Sequence, residues 1–273
     1  MTERNMSVSS NIDLSAYLER IDYSGSLEPS HSTLESLHFA HATHIPFENL
    51  DVLLKRPIRL DIESLQDKMV RNRRGGYCFE HNLLFSAVLK ELGFSVTQLA
   101  ARVRYRSNRI PPRTHMLLLV DIDGSQFIAD VGFGAEGLLL PIPFINNKPV
   151  QQHAWTYRII DEDKRWILQS FRDNSWSDLY VFTLEPQYQI DYEVASHYVS
   201  THPDSRFTQT LTVQQTLPDV RRTIRNNELI IDDGTTITSH QIQNDDHLLR
   251  ILDQTFGLQF PKGTTFHYKN KAS

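Results

Sequence analysis

The chain contains one cysteine, Cys78, and its surroundings favour a reactive thiol. The stretch "RRGGYCFEHN" places this cysteine directly after a Gly-Gly-Tyr step and at the first turn of a predicted helix. The positive end of the helix dipole favours the thiolate form, and Arg73 and Arg74 would add to that field. Gly75 and Gly76 would let the backbone approach a substrate without a Cβ atom. These features predict a nucleophile, and a buried structural cysteine stays an open alternative.

A histidine and an aspartate that could serve this thiol lie in "RTHMLLLVDIDGSQFIADVGFG". His115 opens an apolar strand, Asp130 closes the next one, and Asp123-Gly124 is typical of a two-residue hairpin turn. Counting outward from that turn sets Asp130 opposite Leu117, on the strand face that also carries His115. The two side chains are then diagonal neighbours with Cα atoms about 7 to 8 Å apart. Taken singly, a core histidine and a turn-capping aspartate are the alternatives.

Cys78, His115 and Asp130 together form the set used by papain-like thiol enzymes. In those enzymes an imidazolium held by a carboxylate pairs with the thiolate. A single cysteine rules out a CxxC redox pair or a multi-cysteine zinc site, so no metal is expected. We therefore expect covalent chemistry on the sulfur.

The elements that must position these residues follow from the apolar spacing. Residues 12 to 93 show helical spacing, and Gly93 is predicted to cap the helix that starts near Cys78. Strands with turn signals follow from Phe94 and predict a largely antiparallel sheet or barrel, before a short helical stretch, further short strands over 206–243 and a final amphipathic helix. The predicted domains are a helical domain carrying the nucleophile (1–93), a β-barrel domain carrying the histidine and aspartate (94–203) and a C-terminal part (204–273).

Composition limits the partners. The 273 residues are 40% hydrophobic and 22% charged, enough for a core without disulfides. A net charge of -5 offers no field to attract nucleic acid or an anionic membrane, and no apolar run reaches the 18 residues or so of a membrane span. Glu3, Arg4 and Asp13 stand where a signal peptide would need an apolar run. We expect small-molecule partners and, from the single cysteine, a cytoplasmic location.

Four motifs carry a resemblance to a known family. They are "PFENL" at 46–50, "RGGYCFEHN" at 74–82, "THMLLLV" at 114–120 and "DVGFG" at 130–134. In order and spacing they resemble the arylamine N-acetyltransferases, and weaker similarity extends from about Leu14 to Phe260. The resemblance implies an α+β fold with a helical bundle, an antiparallel β-barrel-like domain, a C-terminal α/β lid and a papain-like core.

The resemblance also implies the substrates and further site residues. Acetyl-CoA would be the acyl donor, and arylamines, hydrazines or N-hydroxyarylamines the acceptors. Phe47 and Phe133 would line the acceptor site, and Thr114 would contact the coenzyme. Glu48 and Arg74 lie in matched motifs, and we expect them to pair and brace the site, although two unrelated surface charges are the alternative.

The predicted reaction is a two-step acyl transfer through an S-acetyl enzyme. Three alternatives stay open at this point. The same residue set serves thiol amidases and peptidases, although the protease-type "CGSCW" surroundings are absent around Cys78. An amide synthase of a biosynthetic pathway would share the fold. A catalytically inactive binding module is disfavoured, because all three candidate catalytic residues are present.

Overall fold

The structure is a computed structural model that describes residues 12–105 and 110–269. Its first third is helical, as the apolar spacing predicts. A π-helical turn, Asp67–Arg71, continues α4 without a break. The helices of the whole chain are α1 (Leu14–Arg20), α2 (His31–His44), α3 (Leu50–Leu53), α4 (Ile62–Gln66), α5 (Cys78–Glu91), α6 (Gln189–Thr201), α7 (Arg206–Gln209) and α8 (Asp245–Phe256).

Helix α5 is the central element of the helical part. Every residue from Cys78 to Leu89 is buried, so the helix touches protein on all sides. It ends as predicted at Gly93, which has φ +88°, and the N–H of Phe94 bonds to the carbonyl oxygen of Leu89 at 3.0 Å. This places the start of the helix, and with it the thiol, at a fixed point inside the molecule.

The larger sheet is antiparallel throughout and curls into a nearly closed barrel, as predicted. Its strand order is β5-β4-β3-β2-β9-β8-β7-β6. Its strands are β2 (Ser95–Val103), β3 (His115–Ile122), β4 (Ser125–Ala129), β5 (Ile142–Pro143), β6 (Val150–Gln152), β7 (Trp155–Glu162), β8 (Arg165–Arg172) and β9 (Ser175–Phe182).

Strand β3 is buried on both faces, which explains its continuous apolar run. Met116 and Leu118 pack against the helices, whereas Leu117 and Leu119 point into the barrel. The predicted hairpin register is confirmed: β3 and β4 pair from Ile122 with Ser125 as far as Leu118 with Ala129. The face of Leu117 and Leu119 is therefore also the face of His115 at the strand start.

A second, smaller sheet has the order β1-β10-β11-β12-β13. Helix α8 covers one face, where Leu248 and Leu252 pack against Val213 and Ile224. The short helix α7 begins at Arg206 and is capped by Ser205, whose hydroxyl accepts the N–H of Phe207. The first strand after it starts at Thr212, so the prediction that strands start at residue 206 is wrong by six residues. The strands are β1 (Phe47–Glu48), β10 (Thr212–Thr216), β11 (Arg221–Arg225), β12 (Glu228–Asp232) and β13 (Ile237–Gln241).

The α+β fold class with its barrel and helical parts is confirmed, and the domain boundaries stay predictions. Among the helices of the described residues, none has both the length and the apolar character needed to cross a membrane.

Strand β1 lies against the chain just before α5, and this contact leaves no room for a side chain at Gly75. The N–H of Glu48 bonds to the carbonyl oxygen of Gly76 at 2.7 Å. A Cβ atom on Gly75 would lie 1.9 Å from the carbonyl oxygen of Pro46, a backbone atom that cannot swing away.

We therefore expect Gly75→Ala to lower the free energy of unfolding by more than about 2 kcal/mol, measured by urea titration. Gly25→Ala is the control, because there the nearest atoms belong to the end of the Tyr23 side chain. It should change stability by less than about 1 kcal/mol. Equal stability of the two variants would contradict this account of Gly75.

Candidate active site

The thiol of Cys78 lies at the start of α5 and opens onto a cavity of 390 Å³. Only 4% of the residue is exposed, so the sulfur is reached through this cavity. The other sequence-predicted residues that line the cavity are Phe47, Thr114, His115 and Phe133.

His115 and Asp130 form a buried pair on the barrel side of β3 and β4. The imidazole Nε2 lies 2.7 Å from the carboxylate Oδ2, and at most 2% of either residue is exposed. The pair forms because Asp130 follows Ala129, the last paired residue of β4, on the face that His115 shares. With Nε2 bound to the carboxylate, the other ring nitrogen is left for the cavity side.

Two groups besides the imidazole hold the carboxylate of Asp130. Its Oδ1 accepts the side-chain amide of Asn82 at 2.9 Å and the N–H of Gly132 at 3.0 Å. Asn82 also donates to the carbonyl oxygen of Met116 at 2.8 Å, which ties α5 to β3. The ring of Tyr180 lies 4.8 Å from that of His115 and closes its other face.

The pair is charged at neutral pH. Burial disfavours the imidazolium, but the charge and hydrogen bond of Asp130, helped by a hydrogen bond with Cys78, raise the pKa of His115 to about 10. Burial likewise opposes the carboxylate, but the imidazolium and the hydrogen bonds from Asn82 and Gly132 hold the pKa of Asp130 below its ordinary value. The site thus presents a proton donor beside the sulfur.

The sulfur of Cys78 lies between this imidazole and the backbone of Thr114. Sγ is 3.6 Å from the carbonyl oxygen of Thr114, and the hydrogen bond to His115 contributes to the raised pKa of the imidazole. A thiol, an imidazolium and a carboxylate in this order can form a covalent acyl intermediate and move its proton. In residues 12–105 and 110–269 no group of three His, Cys, Asp or Glu residues could hold a metal ion.

Two aromatic rings form part of the cavity wall. Phe133 lies edge-on to the His115 ring at 5.1 Å. Phe47 packs so closely on Gly134 that a Cβ atom there would lie 3.1 Å from the ring. Its position is fixed by β1, which pairs Phe47 with Gln214 of β10. The two rings make this part of the cavity wall apolar, which suits an aromatic ligand.

Glu48 and Arg74 meet in a buried charge network. Arg74 donates to Oε1 of Glu48 from Nη2 at 2.5 Å and from Nε at 3.1 Å. Nη2 of Arg74 is also 3.3 Å from Asp51, and Lys68 bridges Asp51 at 2.9 Å and Glu80 at 2.7 Å. Buried charges need such mutual pairing, and the network links β1 to α5.

Glu80 carries this network to the start of the nucleophile helix. Its Oε2 accepts the N–H of Tyr77 at 2.9 Å, which fixes the residue directly before Cys78. A Cβ atom on Gly76 would lie 2.8 Å from the Cβ of Glu80. The expectation that Gly75 and Gly76 make room for a substrate is therefore wrong, because protein atoms occupy the space beside both.

Sequence reasoning missed two residues that hold Asp130, namely Asn82 and His38. Asn82 had a visible signal, since it lies four residues after Cys78 on the same helical face. His38 had none, because it lies in a different helix, 92 positions before Asp130.

Comparisons with known proteins agree with this geometry. A family model described as N-acetyltransferase matches residues 30–264. The chain is 38% identical over 248 residues to the arylamine N-acetyltransferase of Escherichia coli (strain K12), covering 90% of this chain and 88% of the relative. The solved structure of arylamine N-acetyltransferase from M. tuberculosis superimposes with a TM-score of 0.87 at 37% identity, covering 90% and 94% of the two chains. That of Mycobacterium marinum arylamine N-acetyltransferase in complex with CoA gives 0.87 at 35%, covering 90% and 93%.

The raised pKa of His115 has a consequence for stability. The folded protein keeps a proton on this group that the unfolded chain releases near pH 6.5. Its contribution is complete below pH 6.5 and is lost as the pH rises through about 10. Free thiols also titrate between about pH 7 and 10, so the measurement is made in the Cys78→Ala variant, which has no thiol.

In that background, Cys78→Ala should lose stability between pH 7 and 9 by up to about 1.4 kcal/mol per pH unit more than Cys78→Ala with Asp130→Asn. Urea unfolding at pH 7, 8 and 9 measures the difference. Parallel pH dependence in the two proteins would show that Asp130 does not keep His115 protonated.

Proposed function

The chain belongs to the arylamine N-acetyltransferase family, and we propose that it transfers an acetyl group from acetyl-CoA to an arylamine through a thioester on Cys78. One observation carries this proposal: the only thiol of the chain opens onto a cavity walled in part by Phe47 and Phe133, beside the His115–Asp130 pair. The family supplies the reaction class, and the geometry supplies the roles of the residues.

In the first step the Cys78 sulfur attacks the carbonyl carbon of the acetyl thioester. The bond between that carbon and the coenzyme sulfur breaks, and CoA leaves as a thiol with the proton held by His115. One thioester is exchanged for another, so the step is nearly thermoneutral. The raised pKa of His115 ensures that this proton is present at neutral pH.

In the second step the amine nitrogen attacks the S-acetyl group, and the bond between the acetyl carbon and Sγ breaks. His115 now accepts the proton of the amine and regains its charged form. Asp130 stabilises that form and fixes the ring through its 2.7 Å hydrogen bond. After the second step the sulfur is free again and His115 is charged, as at the start of the reaction.

The start of α5 supplies groups that can stabilise the developing oxyanion. The first N–H groups of a helix have no partner within the helix, and Cys78 is the first residue of α5. A donor aimed at an oxyanion contributes about 3 kcal/mol to transition-state binding.

For the substrates we propose arylamines, hydrazines and N-hydroxyarylamines as acceptors, held between Phe47 and Phe133. Both rings line the cavity that contains Cys78, and Phe133 reaches the catalytic imidazole. Thr114 also lines the cavity, beside the sulfur, and is proposed to contact the pantetheine end of the donor.

The single cysteine still favours a reducing compartment such as the cytoplasm. A thiol amidase or an amide synthase is not favoured, because the family model and the relatives described above are N-acetyltransferases.

Intact-protein mass spectrometry after mixing with acetyl-CoA tests the proposed function. Wild type should gain about 42 Da, the mass of an acetyl group on a covalent intermediate, and lose it when an arylamine is added. Cys78→Ala, checked for folding by circular dichroism, should gain nothing. An unmodified wild-type protein, or an adduct that persists in Cys78→Ala, would refute the mechanism.

Glu48 and Arg74 are proposed to brace the site. In Glu48→Gln the buried Arg74 loses the closer of its two charged partners and keeps only Asp51, so we expect the free energy of unfolding to fall by at least about 2 kcal/mol and S-acetylation to slow. Glu63→Gln is the control, because its ion pair with Arg71 is exposed and should contribute nothing measurable to either quantity. Unchanged melting temperature and acetylation rate in Glu48→Gln would remove the bracing role.

A further inference from the structure

Asp130 lies just beyond the end of a strand ladder, where its backbone needs other partners. The pairing of β3 with β4 stops at Leu118 and Ala129. The next three N–H groups, those of residues 130 to 132, are all satisfied by side chains. Asp130 N–H donates to Nε2 of His38, Val131 N–H to Asn82, and Gly132 N–H to the carboxylate of Asp130 itself. The backbone segment that carries the Asp130 carboxylate is thus held by residues from α2 and α5.

His38 is completely buried, and its hydrogen bonds define its tautomer. Nδ1 lies 2.9 Å from the carbonyl oxygen of Leu139, which only accepts, so Nδ1 carries the proton. Nε2 lies 3.1 Å from the nitrogen of Asp130, whose N–H only donates, so Nε2 offers its lone pair. Only a neutral imidazole can make both bonds.

The surroundings of His38 keep it neutral. Burial lowers the pKa of His38 to about 4, although the hydrogen bond to Leu139 and the charge of Asp130 oppose this shift. The edge of the ring packs on Phe85 of α5 at 5.8 Å. The proposed mechanism uses neither nitrogen of His38 to move a proton.

We propose that His38 is a positioning residue for acyl transfer: its Nε2 lone pair holds the backbone N–H of Asp130 and so sets the carboxylate against His115. This inference rests on the function proposed above. The bond acts at the residue whose side chain orients the general base, 2.7 Å away. A loss of about 1 Å in such positioning can cost up to 100-fold in rate.

Two substitutions separate the two nitrogens of His38. In His38→Gln the terminal amide reaches the place of Nε2, where its oxygen can accept the N–H of Asp130. In His38→Asn the shorter amide reaches the place of Nδ1, where it can bond only to Leu139. Both variants lose the ring and its contact with Phe85, so stability falls in both.

The control is the same pair of substitutions at His41. It lies one turn further along α2, is also completely buried, and bonds to Tyr17 and His81 but not to Asp130. The rate of S-acetylation by acetyl-CoA is followed by quenched mass spectrometry, well below the melting temperature of each variant.

We expect His38→Gln to react within about threefold of wild type and His38→Asn at least about tenfold more slowly, whereas the two His41 variants should react at similar rates. Equal rates for folded His38→Gln and His38→Asn would overturn the positioning role and leave the acetyl transfer intact. A wild-type protein that is not acetylated at all would overturn the proposed function and the positioning role with it.

If the His38 variants do not fold, nitrogen NMR of the wild-type protein tests the hydrogen bond between His38 and Asp130 directly. The inference requires an unprotonated Nε2 on His38 and a scalar coupling through the hydrogen bond to the amide of Asp130. A protonated Nε2, or no coupling, would overturn it.

Discussion

The buried contact between His115 and Asp130 is the interaction on which the site depends. A carboxylate at 1% exposure loses its water and is stable only if protein groups replace that solvation. Here the replacements are the imidazolium at 2.7 Å, the amide of Asn82 and the N–H of Gly132. Because these groups come from β3, α5 and the loop after β4, the charge exists only when all three elements are in place. The chemistry is therefore coupled to the tertiary fold and not to any single element.

The same constraint explains why the barrel and the helices meet so closely at this point. A Cβ atom on Gly132 would lie 2.9 Å from the Cα of Cys78, so the loop after Asp130 passes directly over the first turn of α5. Asn82, one turn further along α5, binds both this loop and Met116 of β3. The close approach of Gly132 and the hydrogen bonds of the Asn82 amide thus join the ends of β3 and β4 to the helix that carries the sulfur. The network of Glu48 and Glu80 also holds that helix start, through the bond from the N–H of Tyr77 to Glu80.

A structural feature can be predicted from the sequence when the residues that determine it are close together in the chain. The register of β3 with β4 follows from the turn at Asp123-Gly124, and the end of α5 follows from Gly93, so both could be counted along the chain. The approach of Cys78 to His115 was inferred from the residue set of papain-like thiol enzymes and from the family resemblance, because spacing along the chain does not predict it. The contact of His38 in α2 with Asp130, and the pairing of β1 with β10 across 165 to 167 positions, depend on packing between distant segments, for which a single sequence carries no signal. The role of Gly75 was mistaken for the same reason, since its neighbour Pro46 is distant in the chain, whereas Gly76 lies against Glu80, only four residues further on.

Buried histidines in this protein show how one side chain gains opposite protonation states from its partners. The chain of hydrogen bonds from Tyr17 through His41 and His81 ends on the carbonyl oxygen of Pro46, which only accepts. Each donor is then fixed in turn: His81 donates to Pro46, His41 to His81, and Tyr17 to His41. Both imidazoles in this series of hydrogen bonds, His41 and His81, are neutral, and burial lowers the pKa of both accordingly. His115 is equally buried, but an ionised carboxylate faces it, and its pKa moves upward instead. A buried histidine without a carboxylate partner is neutral and makes hydrogen bonds of fixed direction. A buried histidine with one is protonated and can supply the proton that acyl transfer requires.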